Sequence, residues 1–134
     1  MGSTIVKKKK SNTKKDFITW FEIPAITFHN AVAFYNHIYD MQMETVATGD
    51  HMMAFFPSNG GLGGAVVYGP GSIPNENGPL IYLNGGKDLN IILSKVEEAG
   101  GRVIMPKTAI SNDFGFFAIF LDTEGNKLAL HSKD

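Results

Sequence analysis

Residues 18–38 and 79–99 carry one pattern written twice, 61 positions apart, and no other feature of the chain restricts its fold as much. Shifting the first copy lays Phe28 on Leu89, Ala31 on Ile92, Val32 on Leu93, Tyr35 on Val96 and Ile38 on Ala99. At 3.6 residues per turn these positions form one apolar stripe, so each copy predicts an amphipathic helix with the same buried face. Thr27 and Asp88 stand immediately before the stripes, where a short side-chain oxygen accepts from a first-turn N–H. Ahead of each cap lies an apolar run, Ile18-Thr19-Trp20-Phe21-Glu22-Ile23 and Leu80-Ile81-Tyr82-Leu83, which reads as a strand feeding the helix.

The segments between and after the helices are β-compatible. Behind a first helix at 28–39 come three short strands, 43–48, 52–56 and 65–68, separated by Gly49-Asp50 and by Asn59-Gly60-Gly61-Leu62-Gly63-Gly64. That glycine-rich stretch resembles a phosphate loop only superficially, because no helix and no Lys-Ser/Thr pair follows it. In the second copy a strand at 80–83 leads to a helix at 89–99, stopped by Gly100-Gly101. A strand at 102–105 is then bounded by Pro106, a loop runs to about residue 113, and a hairpin of 116–121 and 127–131 turns at Asp122-Thr123-Glu124-Gly125-Asn126. The order β-α-β-β-β, twice, is an α+β arrangement: two curved antiparallel sheets, a helix behind each, the other faces left concave. Module one is expected at 16–70, a linker at 71–78 and module two at 79–134.

Composition excludes several classes. With 134 residues and 43% hydrophobic content the chain suffices for one duplicated domain. It has no cysteine, so disulfides, thiol catalysis and thiolate metal sites are excluded together. No apolar run reaches the roughly 18 residues of a membrane span, and the basic N-terminal stretch has no apolar region of a secretory signal behind it. The expectation is a cytoplasmic protein with no membrane partner. Lys7, Lys8, Lys9, Lys10, Lys14 and Lys15 supply half of the twelve basic residues, while all thirteen carboxylates lie from Asp16 onward. Residues 1–15 are therefore expected to form a disordered, solvated tail. Attraction to nucleic acid is the other reading of that tail, but the rest of the chain shows no basic face with interleaved aromatics, so no specific nucleic-acid partner is expected.

Trp20-Phe21-Glu22-Ile23-Pro24 before a helix ending in Ala33-Phe34-Tyr35, the Glu98-Ala99-Gly100-Gly101 helix end and the Asp122-to-Lys127 hairpin together resemble the vicinal oxygen chelate superfamily. Glyoxalase I, bleomycin-resistance proteins and extradiol dioxygenases belong to it. The resemblance covers about residues 17–132 and implies a curved mixed sheet around a concave, glyoxalase-like pocket. It also implies dimers, which are common where two-module chains associate. Metal-dependent members take one His, Glu or Gln from the first and last strand of each module. Carried over singly, those positions fall on Trp20, Ile81, Ala129 and a residue near Gly64, none of which offers the carboxylate or imidazole a divalent cation needs. No metal cofactor is expected.

The remaining site residues follow from strand alternation. Trp20 shares a face with Ile18 and Glu22, opposite Phe17, Phe21 and Ile23, and is either a stacking platform or a core aromatic. Glu22, beside a cavity-facing Trp, is the first choice for an acid or base, with a surface ion pair as the plain alternative. His131 follows Ala129 by two and points to the same side, as base, hydrogen-bond donor or merely exposed residue. Phe117 and Ile119 join Ala129 if the hairpin carries no bulge. The pocket expected is thus Trp20, Glu22, Ile81, Phe117, Ile119, Ala129 and His131, binding a small molecule in the bleomycin-resistance manner. The alternative is an enzyme of the same superfamily, resembling lactoylglutathione lyase or a dioxygenase, with Glu22 or His131 as base or a displaced ligand set. A third is an interaction module with a closed pocket.

Overall fold

The computed structural model describes residues 13–111 and 113–134. Module one consists of β1 (Trp20–Pro24), α1 (Phe28–Tyr39), β2 (Glu44–Thr48), β3 (His51–Phe55) and β4 (Gly63–Tyr68). Module two repeats the order with β5 (Ile81–Asn84), α2 (Asn90–Leu93), β6 (Arg102–Ser111), β7 (Gly115–Leu121) and β8 (Lys127–Ser132). The two sheets have the same strand order, β1-β4-β3-β2 and β5-β8-β7-β6. In each, the last three strands form an antiparallel meander, and the helix carries the chain from the first strand to the far edge. The last strand therefore returns beside the first and parallel to it, so both sheets are mixed rather than antiparallel.

Both helices lie on one side, and a single core joins the modules. Phe28, Ala31, Val32, Phe34, Tyr35 and Ile38 of α1 are all buried, as the stripe requires. Phe34 stacks toward Phe120 of β7 at 6.0 Å between ring centroids, which carries the core across the module boundary. In module two Leu89, Ile92, Leu93 and Val96 occupy the same depth. Regular α-helix there spans only Asn90–Leu93, however, and residues 94–101 continue as turns mixing i→i−3, i→i−4 and i→i−5 bonds. The apolar periodicity fixes which side chains go inside, and a tightened, 3₁₀-like path satisfies it as well as an α-helix does.

Several local expectations give way. The first strand starts at Trp20, and Phe17, expected under the helix, is 89% exposed. Pro106 lies within β6 rather than ending it, which an edge strand with register shifts on either side of it permits. Thr27 makes no side-chain cap. Its N–H and that of Ile26 donate instead to Oε1 of Glu124, at 2.7 and 2.5 Å, so α1 is capped from the β7–β8 turn of the other module. Asp88 does cap locally, its Oδ1 accepting from Asn90 N. Residues 1–12 of the expected tail lie outside the described residues. Among the described residues no helix is long and apolar enough to cross a membrane.

Candidate functional site

Strand period sorts the module-one sheet into two faces. Trp20 and Glu22 point away from the core together with Gly63, Ala65, Met53 and Phe55, while Phe21, Ile23, Gly64, Val66, Met52, Ala54 and Phe56 face the helix. Gly63 and Gly64 are seats for rings. A Cβ on Gly63 would stand 3.0 Å from the Trp20 indole, and one on Gly64 would collide with the Phe21 ring. The glycine stretch is thus packing surface, and the position opposite Trp20 is Gly63 rather than Gly64. Phe55 flanks the indole at 6.1 Å, and Trp20 Nε1 donates to Glu22 Oε2 at 3.3 Å. The indole remains 41% exposed.

On the module-two sheet the outward residues are Tyr82, Asn84, Phe117, Ile119, Ala129 and His131, with Ala118, Phe120, Leu128 and Leu130 in the core. Ile81, expected on the outward face, packs against the core instead, as Phe21 does in module one, and Leu80, just before β5, holds the place that corresponds to Trp20. The helices repeat at 61 positions but these strands repeat at 60, Gly85 N bonding His131 O as Ala25 N bonds Val67 O, because module two has one residue more between strand and helix. Tyr82 and Phe117 approach to 6.5 Å, and Ala129 between the flanking strands is fully covered, so it offers a ligand no surface. His131 Nε2 is bonded to Phe114 O at 2.7 Å. Trp20 with Glu22, and Phe117 with Ile119 and His131, therefore stand on two sheets rather than around one pocket.

Between the sheets a crevice of about 230 Å³ opens, lined by Glu22 and Pro24 of β1, Glu76 of the linker, and Pro79, Ile81 and Lys127 of module two. It takes in Glu22 and Ile81 of the expected residues and none of the others. One end is closed by a buried network that sequence reasoning assigned only to a turn. Asp122 accepts at Oδ2 from Tyr35 Oη (2.8 Å) and Asn126 Nδ2 (3.0 Å), and at Oδ1 from the N–H groups of Glu124 and Asn126. Asn126 also donates to Pro24 O at 2.8 Å and accepts from Asn75 N at 3.1 Å. Burial pushes the Asp122 carboxyl above its usual range, against the pull of the Asn126 and Tyr35 hydrogen bonds. Burial, then the adjacent Asp122, pushes the Tyr35 phenol up as well. Tyr39, likewise raised by burial, ties α1 to β5 through Asn84 O at 2.7 Å. The signal in the sequence was Asp122 and Asn126 themselves, polar residues whose side chains can bond a turn and a neighbouring chain at once.

Carried across these repeats, 60 positions for the first strands and 64 for the last, the four positions that a metal-dependent relative would use are Trp20, Ala65, Leu80 and Ala129. An indole, two methyls and an isobutyl group do not make the oxygen and imidazole set of a divalent site. Among the described residues no three His, Asp or Glu side chains converge as metal ligands elsewhere.

Comparison with known proteins agrees with this architecture. A glyoxalase/bleomycin resistance protein from Albidiferax ferrireducens T118 superposes with a TM-score of 0.67 at 14% identity, covering 89% of this chain and 100% of its own. The fosfomycin resistance protein FosX from Listeria monocytogenes gives 0.62 at 14% identity, with 90% and 94% covered. The hypothetical protein SA1046 from S. aureus gives 0.59 at 17%, with 89% and 95% covered. At such identities the likeness is one of fold. No curated protein matches significantly. Residues 18–130 match the Glyoxalase/Bleomycin resistance protein/Dioxygenase superfamily, and the chain, with two βαβββ modules in the order that fold requires, belongs to that superfamily.

Proposed function

We propose that this protein binds a small molecule through the outward face of module one and does so without a divalent metal. The observation that carries the reading is Trp20: an indole seated on Gly63, braced by Phe55 and oriented by Glu22, yet 41% exposed. An aromatic fixed in place with a free surface is preorganised for stacking, and little side-chain freedom remains to be lost on binding. Binding without turnover is the bleomycin-resistance mode. A homodimer belongs to the same reading, supported by apolar residues exposed on β2 and β6, among them Val46, Ile104 and Ile110. A reducing compartment such as the cytoplasm suits a chain with no cysteine.

A catalytic reading has one observation of its own. On the outward faces of the strands that carry the family positions stand Glu22, Asn84 and His131, which gives each module an ionisable or amide side chain there. Glu22 is the base in that reading, since His131 Nε2 is already engaged by Phe114.

Because Trp20 is the single tryptophan, emission reports on this face alone. Titration with planar aromatic compounds is expected to quench or shift it saturably, with and without EDTA. Trp20→Ala is expected to abolish that binding while costing well under the roughly 3–5 kcal/mol of a core aromatic. A core-sized loss of stability, with no compound perturbing the wild-type emission, would overturn the reading.

A further inference from the structure

The fixed charge of module one has one sign. From residue 16 to residue 86 the chain contains Asp16, Glu22, Asp40, Glu44, Asp50 and Glu76 and not one Lys or Arg. Module two, by contrast, interleaves six cations with seven carboxylates from residue 79 onward. Among the described residues, Glu22, Glu44 and Glu76 have no ion-pair partner within 4.0 Å. Glu22 and Glu76 both line the crevice, where Lys127 on the opposite wall is the one cation. Lys15 lies at the other end of β1, against Gly61 and Leu62.

We propose that the ligand of the module-one face is an organic cation with an apolar body, an alkyl- or arylammonium group. The inference rests on the reading of Trp20 as a ligand platform and names the chemistry that platform selects. An indole face attracts a cation through its quadrupole. Glu22, hydrogen-bonded through Oε2 to the Trp20 Nε1, holds its carboxylate beside the ring and keeps a second oxygen for an ammonium donor. The crevice that begins at Glu22 gives the charged end a recess bounded by a second carboxylate, Glu76. An anion at the same place meets only like charge on β1 and the linker, and a neutral ligand gains from the ring but not from the carboxylates.

The test uses the full-length protein, emission from Trp20, and three probes of similar size: benzyltrimethylammonium, benzyl alcohol and benzenesulfonate. Benzyltrimethylammonium is expected to bind at least about tenfold more tightly than either other probe at low salt, and to weaken as ionic strength rises. Glu22→Gln, whose amide oxygen still accepts from the indole N–H, is expected to remove most of that advantage, and Trp20→Ala to abolish all binding. If benzyl alcohol or benzenesulfonate binds as tightly, and Trp20→Ala abolishes it, the cation preference is overturned while the platform stands. If benzyltrimethylammonium binds but neither variant alters it, the platform and the preference fall together. If none of the three binds, the preference is overturned and the platform is judged by the wider aromatic panel.

Discussion

The paired strands β1/β4 and β5/β8 solve one packing problem in two ways. On the core side Phe21 lies beside Gly64 in module one, whereas at the corresponding place in module two Ile81 lies beside Leu128. On the outward side the ring is Trp20 beside Gly63 in module one and Tyr82 beside Ala129, one pair further along, in module two. A ring laid over glycine takes the place of two middle-sized side chains, so the duplication has kept the core contact rather than the residues that make it. What differs is how the exposed ring is held. Trp20 is seated on glycine and braced by Phe55, and module one therefore presents a fixed platform with no cation of its own strands to compete for it. Tyr82, also exposed, stands beside Ala129 and tilts toward Phe117 instead.

The largest effect is expected from transplanting one solution halfway. Gly64→Leu places a side chain where the Phe21 ring already lies and should destabilise the protein by more than about 3 kcal/mol in urea unfolding. Adding Phe21→Ile, which rebuilds the Ile-Leu pair of module two, removes the ring that the new side chain meets and should recover more than half of that loss. Additive losses instead would break the comparison.

The strand-connecting turns next to these pairs differ too. Residues 57–62 of the β3–β4 loop are exposed, with Ser58 Oγ donating to Gly61 O at 2.9 Å. Its counterpart between β7 and β8 buries Asp122 and reaches into module one. Asp122→Ala strands four donors and should cost about 2–4 kcal/mol, whereas Ser58→Ala should cost under about 0.5 kcal/mol. A pH series sharpens this. Because Asp122 is raised above its ordinary 3.8, the folded state holds its proton more tightly than the unfolded chain does. Stability of wild type relative to Asp122→Asn should be greatest below that ordinary value and decline as pH rises through the raised one. A rise with pH would mean that the hydrogen bonds outweigh burial.

The smallest effect is expected outside both modules. Deleting residues 1–15 should change stability by less than about 0.5 kcal/mol, since the exposed Lys14 and Lys15 bring charge and little burial. A loss of several kcal/mol would show a docking contact that neither module accounts for.

The sequence disclosed the parts of this fold that local physics decides. The apolar stripes of the two helices, the phase of β7 and β8 and the turn at residue 125 follow from period and residue type alone. Three things depended on non-local packing. Ile81 reads as outward only when the helix offset is carried into strands whose repeat is one residue shorter. Pro106 reads as a strand end because the edge position that tolerates it is a property of the sheet. Thr27 reads as a cap that Glu124, 97 positions away, supplies instead. At the site, Trp20 and Glu22 were legible from alternation, while the Gly63 seat and the Tyr82 position needed the inter-strand register.

The cap that Glu124 lends to α1 has a consequence for synthesis on the ribosome. At about 5–20 residues per second, some 5–20 s pass between the emergence of Ile26 and of the carboxylate 98 positions downstream that accepts its N–H. Over that interval module one has its helix stripe and its strands but an unsatisfied helix entry, and Tyr35 lacks its acceptor. The nascent half-molecule is not a finished unit, and its folding is completed by its twin.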